Sequence, residues 1–397
     1  MSSTKNRNHC MAKRVLKICC YTWLNASRDK RELSACQELG MKVEVLAKGE
    51  GDECGHFSKM DGFDVFKVST RPFPHFPIFI NRFFSIGSFV LQARKMNPDI
   101  ISGHDMIGVF VGWLSNVLRS HKATLVYDSH EFELGRNTKR SKFQTWIVAR
   151  LERFLIKRCA FSIMVNDAIA DEVQRIHKLS NRPVVVRSTP NLWHINEQDC
   201  RKTRQQILST MSTSRDVLLM YHGGVIPGRG IETLLEVVSK TDFTCVIILG
   251  NGQESYIQTL KIRAESLGIS GRVLFHPAVP INELWRYVGA ADIGMVTIPA
   301  VAKSYYYMLP NKFFENIQGE TPVICSNFPA IAPIVNKYNI GLTCDPTDVH
   351  SIIASIKRMV DDKGLYQTFK SNLKKAKLQL CWENEKQGLM SAYKELI

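Results

Sequence analysis

The sequence predicts an α/β protein made of two doubly wound, Rossmann-like domains that face each other across a cleft. Three observations carry this expectation. The chain has 397 residues, two to three times the usual size of one domain, so it divides into more than one core. Short runs of β-branched and apolar residues alternate with longer helical patterns, the rhythm of a parallel sheet covered on both faces. That rhythm stops once, near the middle of the chain, and then restarts.

The strand signals of the first set fall at 15–20 (VLKICC), 41–47 (MKVEVLA), 98–104 (PDIISGH), 123–129 (ATLVYDS) and 161–166 (FSIMVN). After 184–191 (VVVRSTPN) a polar stretch carries no strand signal, and the linker is placed there, at 193–215. The second set follows at 217–223, 244–250, 272–278, 292–298 and 321–327. The domains are therefore expected at 1–192 and 216–382, with a terminal helix at about 383–397 crossing back to the first. Ligands of such sheets bind outside the carboxyl ends of the strands, so the loops just after these runs are where function is sought.

Charged residues make up 22% and the hydrophobic set 45%, the balance of a soluble globular protein. The longest nearly uncharged apolar stretch, 107–118, is far shorter than the roughly 20 residues of a membrane span. The basic N-terminus precedes a run too short and lysine-broken for a signal-peptide core, so a cytosolic protein is expected. Eleven cysteines without a C-x-x-C pair read as reduced thiols, and no zinc site is expected. Net charge is +15 and lopsided: residues 1–192 hold 30 Lys and Arg against 18 Asp and Glu, the rest 22 against 19. A basic half either meets an anionic partner such as a membrane surface or is simply solvated. Nucleic acid is not expected, because no stacking or finger motif accompanies the charge.

The sharpest local feature is Tyr221-His222-Gly223-Gly224-Val225-Ile226-Pro227-Gly228-Arg229-Gly230, between a strand and a helical run. Glycines allow a tight turn and close approach, the helix N-terminus offers free N–H groups, and Arg229 adds a full charge: a phosphate cradle. It is neither a P-loop nor a dinucleotide fingerprint. A second feature runs from Leu309 to Ile324, with Pro310 and Asn311 opening a helix and Lys312 and Glu315 on one face of its first turn. A cation beside a carboxylate there can bind a phosphate and a ribose diol together; the plainer alternative is a surface ion pair.

With these motifs the chain resembles the GT-B glycosyltransferases of the group 1, family 4-like type, most of which retain anomeric configuration. Gly223 to Gly230 match the family's G-R-L-x-x-x-K-G, with Gly224 in place of the arginine and Arg229 in place of the lysine. Gly250-Asn251-Gly252-Gln253-Glu254 match its G-x-G-x-E turn, Ala291 to Gly294 its A-D-[IV]-G strand, and Pro310 to Ile324 its P-x-K-x-x-E-x-x-x-x-G-x-P-V-I signature. The resemblance is strong over 216–397 and loose before that. It implies a glycosyltransferase of the hexosyl type acting in cell-surface polysaccharide synthesis. Its partners would be a nucleotide-sugar and a saccharide or lipid-linked acceptor. Arg229 and Lys312 would hold the donor diphosphate, Glu315 the ribose hydroxyls, and Gly223, Gly224, Gly252 and Asn311 the rest of the donor, with 275–279 beside the base. Tyr307 stands where relatives carry a carboxylate against the sugar, and the change at Gly224 removes one cation, for which Arg28 is a replacement. No cofactor or metal is expected, since the chain has no D-x-D tripeptide. A sugar-nucleotide epimerase and a non-catalytic nucleotide-sugar-binding scaffold are the competing readings.

In the first half His104 and His130 follow strand signals and are expected to face the cleft, taking a proton from an acceptor or holding the donor sugar. The run Lys142 to Arg158 puts Phe143, Ile147, Leu151 and Phe154 on one helical stripe and Trp146, Arg150, Arg153 and Lys157 on another. The first stripe is expected to face the core and the second an anionic lipid surface, with 71–84 as a further lipid candidate.

Overall fold

The computed structural model describes residues 12–23, 27–71, 73, 75–117, 119–136, 140–211, 213 and 217–397. The first domain carries β1 (Arg14–Thr22), α1 (Ser27–Glu38), β2 (Lys42–Gly49), β3 (Phe57–Met60), β4 (Phe63–Ser69), α2 (Ile78–Met96), β5 (Ile100–His104) and α3 (Asp105–Val117). β6 (Thr124–Asp128), α4 (Lys142–Ile156), β7 (Phe161–Met164), α5 (Asp167–His177) and β8 (Val184–Val185) complete it. The strands form one sheet in the order β3-β4-β2-β1-β5-β6-β7-β8, parallel except for the β3–β4 hairpin. That hairpin turns on Asp61 and Gly62, both at positive φ, as a two-residue turn between twisted strands requires.

The second domain contains α6 (Glu197–Met211), β9 (Val217–His222), α7 (Ile231–Ser239), β10 (Thr244–Leu249), α8 (Glu254–Ser266), β11 (Val273–His276), α9 (Ile281–Ala290) and β12 (Ile293–Val296). It continues through α10 (Lys303–Tyr306), α11 (Asn311–Gln318), β13 (Val323–Ser326), α12 (Ala332–Tyr338), β14 (Gly341–Cys344), α13 (Val349–Asp361) and α14 (Lys363–Gln379). Its six parallel strands run β11-β10-β9-β12-β13-β14. β9 and β10 are buried along their whole length, as strands covered on both faces must be.

Two sequence expectations change here. Most of the stretch expected to be a linker, 193–215, is α6, which packs on α9 and buries Cys200, Thr203, Ile207 and Met211. Those four positions make one apolar stripe diluted by charges on every other face, which is why it reads as polar. In α4 the stripes are exchanged in part. Phe143 and Ile147 are exposed beside Trp146, and the helix buries Glu152, Leu155 and Ile156 instead.

The last helix, α15 (Trp382–Lys394), belongs to the first domain's core. Trp382, Leu389 and Tyr393 pack with Val15, Trp23, Leu33 and Val45. The chain thus passes between the domains twice, and the two passages are pinned together. The Trp382 N–H donates to the Pro190 carbonyl at 2.9 Å, and Glu385 accepts from the Arg187 backbone at 2.8 Å. Among the described residues no helix is long and apolar enough to cross a membrane.

Candidate active site

Both parallel sheets point their carboxyl ends at the space between the domains, where a cavity of about 850 Å³ opens. The turn after β9 forms one wall. Gly223, at φ +111°, lets that turn reverse while the Lys312 side chain passes close by. Gly250 sits so close to the Gly223 carbonyl that a Cβ there would be 1.8 Å from its oxygen. Gly252 lies against the Val225 carbonyl in the same way, so it fastens two turns together and does not line the cavity, contrary to expectation. Gly223, Gly224 and Asn311 do line it.

Arg229 and Lys312 enter the same space, each without an ion-pair partner within 4 Å among the described residues. The Arg229 guanidinium lies 5.2 Å from the centre of the Tyr305 ring. The Lys312 ammonium is buried, makes no hydrogen bond and sits 3.4 Å over the Tyr221 ring. Burial, with Arg229 nearby, pushes Lys312 well below the usual lysine value, against a smaller pull from Glu315. A buried amine with no acceptor is expensive in an empty protein and becomes favourable once an anion arrives. Glu315, one helical turn on, takes a hydrogen bond at 2.9 Å from His222 Nε2, whose Nδ1 is buried without a partner. His222 therefore fixes the carboxylate; it lay inside the quoted glycine motif, but nothing in its spacing pointed to Glu315.

The first domain supplies the facing wall through His130, Phe132, Arg136 and Val165. A smaller cavity of about 350 Å³ continues from it, lined by Tyr21, Arg28, Asp29, His104, Asp105 and His130 among others. His130 borders both spaces, and its ring lies 3.8 Å from that of His104, centre to centre. His130 Nε2 is 2.9 Å from Asp128, and His104 Nδ1 is 3.1 Å from Asp29. Burial alone would lower the His130 pKa; the charge and hydrogen bond of Asp128, helped by Asp29, override it and raise it to about 9. At neutral pH His130 is an imidazolium, which donates hydrogen bonds and cannot take an acceptor's proton.

Arg28 is held by Asp128 at 3.1 Å and by the Val186 carbonyl at 2.6 Å, and borders only the smaller space. Arg136, which no motif marked, borders both, paired with Asp105 and with Glu133 at 3.0 Å. Tyr307 does not line the cavity. Its ring packs on Phe132 of the other domain at 5.5 Å and its carbonyl accepts from Asn166, while Tyr305, two residues earlier, takes the cavity position. Residues 275–279, at the end of the edge strand β11, lie outside the cavity lining as well. Trp146, Arg150 and Arg153 on α4, and Lys157 just past its end, line neither cavity.

Two doubly wound domains facing each other across a cleft are the arrangement of the GT-B class of sugar-transferring folds. Family models agree: residues 209–376 match "Glycosyl transferases group 1" and residues 31–189 match "Glycosyltransferase Family 4". The chain belongs to the group 1 glycosyltransferases. A curated relative, the lipopolysaccharide core biosynthesis glycosyltransferase LpsE of Rhizobium meliloti, is 23% identical over 247 residues, covering 58% of this chain and 69% of that protein. Anabaena Alr3699/HepE, solved in complex with UDP, superposes with TM-score 0.76 at 15% identity over 96% of this chain and all of that one. The lipopolysaccharide outer core galactosyltransferase WaaB gives 0.70 at 10% identity over 97% and all. LpsE and WaaB are both named for the lipopolysaccharide core.

Proposed function

We propose that this protein transfers a hexose from a UDP- or GDP-sugar to a saccharide or lipid-linked acceptor, with retention, in cell-surface polysaccharide synthesis. The observation that carries the reading is the pair of unpartnered cations, Arg229 and buried Lys312, set beside Glu315 in the cleft cavity. The HepE structures with UDP and with UDP-glucose support a uridine donor. In this reading Arg229 and Lys312 neutralise charge on the departing diphosphate, a fixed electrostatic contribution of several kcal/mol that needs no divalent metal. Glu315, oriented by His222, accepts hydrogen bonds from the ribose diol. His130 donates Nδ1–H to the sugar or its phosphate from the opposite wall. The acceptor enters through the smaller cavity beside His104.

The acceptor's setting is an anionic membrane face. α2, α3 and α4 lie side by side on one face of the first sheet. Their outer surfaces expose Ile78, Phe79 and Phe83 on α2, Ile107 on α3, and Phe143, Trp146 and Ile147 on α4. Arg150 stacks over Trp146 at 5.3 Å, and Arg71 and Arg82 flank the α2 patch. Aromatic side chains at headgroup depth beside basic ones are the composition of an interfacial surface.

Thermal stabilisation by a panel of UDP-, GDP- and ADP-sugars tests the donor, because a ligand that binds only the folded state raises the melting temperature. Stabilisation by none of them would overturn the proposal.

A further inference from the structure

Behind the acceptor-side cavity lies a group of buried charges that this chemistry does not use. Lys17 points inward from β1 and is fully buried. Its ammonium reaches Asp128 at 2.8 Å, Asp29 at 2.9 Å and Glu32, and Ser102 Oγ at 3.2 Å. Burial would strip its proton; Asp128, Asp29 and Glu32 hold it well above the usual value. Glu32 is gripped from behind by Ser102 at 2.9 Å and by the Tyr393 hydroxyl of α15 at 2.6 Å.

In front, the same carboxylate oxygens serve the two cleft histidines. Asp29 Oδ1 meets both Lys17 and His104, and Asp128 Oδ2 meets both Lys17 and His130. Their remaining oxygens are taken by the Tyr21 hydroxyl and by Arg28. Two aspartates and two histidines, each offering a ligand atom within 4.8 Å of the others, form a donor set suited to a divalent ion. The ammonium already stands where such an ion would touch both carboxylates.

We infer that Lys17 is a positioning residue, the built-in cation of the Asp29, His104, Asp128 and His130 cluster, which aims both imidazoles at the acceptor cavity as a bound metal would. The inference rests on the cleft being the reaction site only for its consequence; the cation role is tested without turnover. The full-length variant Lys17→Ala/Glu32→Gln removes one positive and one negative charge together, and is titrated with Co²⁺ beside the parent. The expected result is one Co²⁺ per chain in the variant, with visible d–d absorption and a raised melting temperature, lost when His130→Ala is added. The parent shows no uptake that depends on His130.

Imidazole ¹⁵N spectra give the positioning readout. In the parent His104 is expected in one fixed tautomer and His130 with both ring nitrogens protonated; both signals are displaced in the variant, and Zn²⁺ holds each ring in a single state again. Three outcomes overturn the inference: His130-dependent Co²⁺ uptake by the parent, a variant that gains neither metal nor stability from Co²⁺, or imidazole shifts unchanged from the parent.

Discussion

Replacing Lys312 by Met should move stability and nucleotide binding in opposite directions. In the free protein the amine is buried with no hydrogen-bond partner, a cost of about 1–3 kcal/mol that methionine does not carry. Loss of the contact with the Tyr221 ring takes back roughly 1 kcal/mol. The balance is a gain near 1 kcal/mol, or about 2–4 °C for a unit of this size. UDP, by contrast, loses a buried charge-assisted contact of about 1.5–3 kcal/mol, so its dissociation constant should rise roughly 10- to 150-fold. Scanning calorimetry of the free protein and titration calorimetry with UDP measure the two effects. pH gives a second handle. Because the free-state pKa of Lys312 is depressed, diphosphate binding above that value requires proton uptake, so affinity falls as pH rises through the window up to the bound-state pKa. Over the same window the unfolded chain holds the extra proton, so the contribution of Lys312 to the free protein's stability rises with pH, up to the ordinary lysine value. A lower melting temperature with an unchanged UDP affinity would refute the placement of the diphosphate.

Arg229→Ala should cut turnover ten- to a thousandfold, on the order of 1.4–4 kcal/mol of transition-state stabilisation, as steady-state rates with the identified donor will show. Glu315→Gln should weaken nucleotide binding more than it slows chemistry, because an amide accepts the ribose hydroxyls less well; an unchanged dissociation constant removes Glu315 from the site. EDTA should leave transfer largely intact, and activity abolished by chelation and restored by Mn²⁺ would overturn the cation model. Arg150, Arg153 and Lys157 changed together to Gln should weaken co-sedimentation with phosphatidylglycerol vesicles by up to about 3 kcal/mol and leave UDP binding unchanged. Binding equal to the parent's would move the docking surface to the α2 patch.

The alternation of apolar runs made ten strands and the paired-domain architecture legible, because a strand covered on both faces must be continuously apolar. β3 and β4 escaped because an edge hairpin shows only weak alternation, although Asp61-Gly62 between the two runs was a usable turn signal. On the cavity wall built by the second domain, Gly223, Gly224, Asn311, Lys312 and Glu315 were readable since one turn and one helix carry them. Tyr307 was misplaced by counting from Glu315: the short helix α10 turns its ring toward Phe132, and no spacing rule reports that. Lys17 was invisible for a different reason. Asp29 and Glu32 reach it from α1 and Asp128 from the end of β6, a convergence set by how the helix and strands assemble, and a lone lysine in an apolar strand reads only as an interruption.

The place of α15 in the first domain has a consequence for synthesis. Trp382, Leu389 and Tyr393 complete a core whose other members lie between Val15 and Val186. Nearly two hundred residues separate that segment from the helix, which at roughly 5–20 residues per second is on the order of 10–40 s of translation. Throughout that interval the nascent first domain has an open apolar slot, and Glu32 lacks the Tyr393 hydroxyl. The second domain, whose buried core clusters run from Ile207 to Leu380, is complete in sequence before that helix is made. The domain made first is thus finished last, and residues 382–397 act for the nascent chain as a plug delivered late.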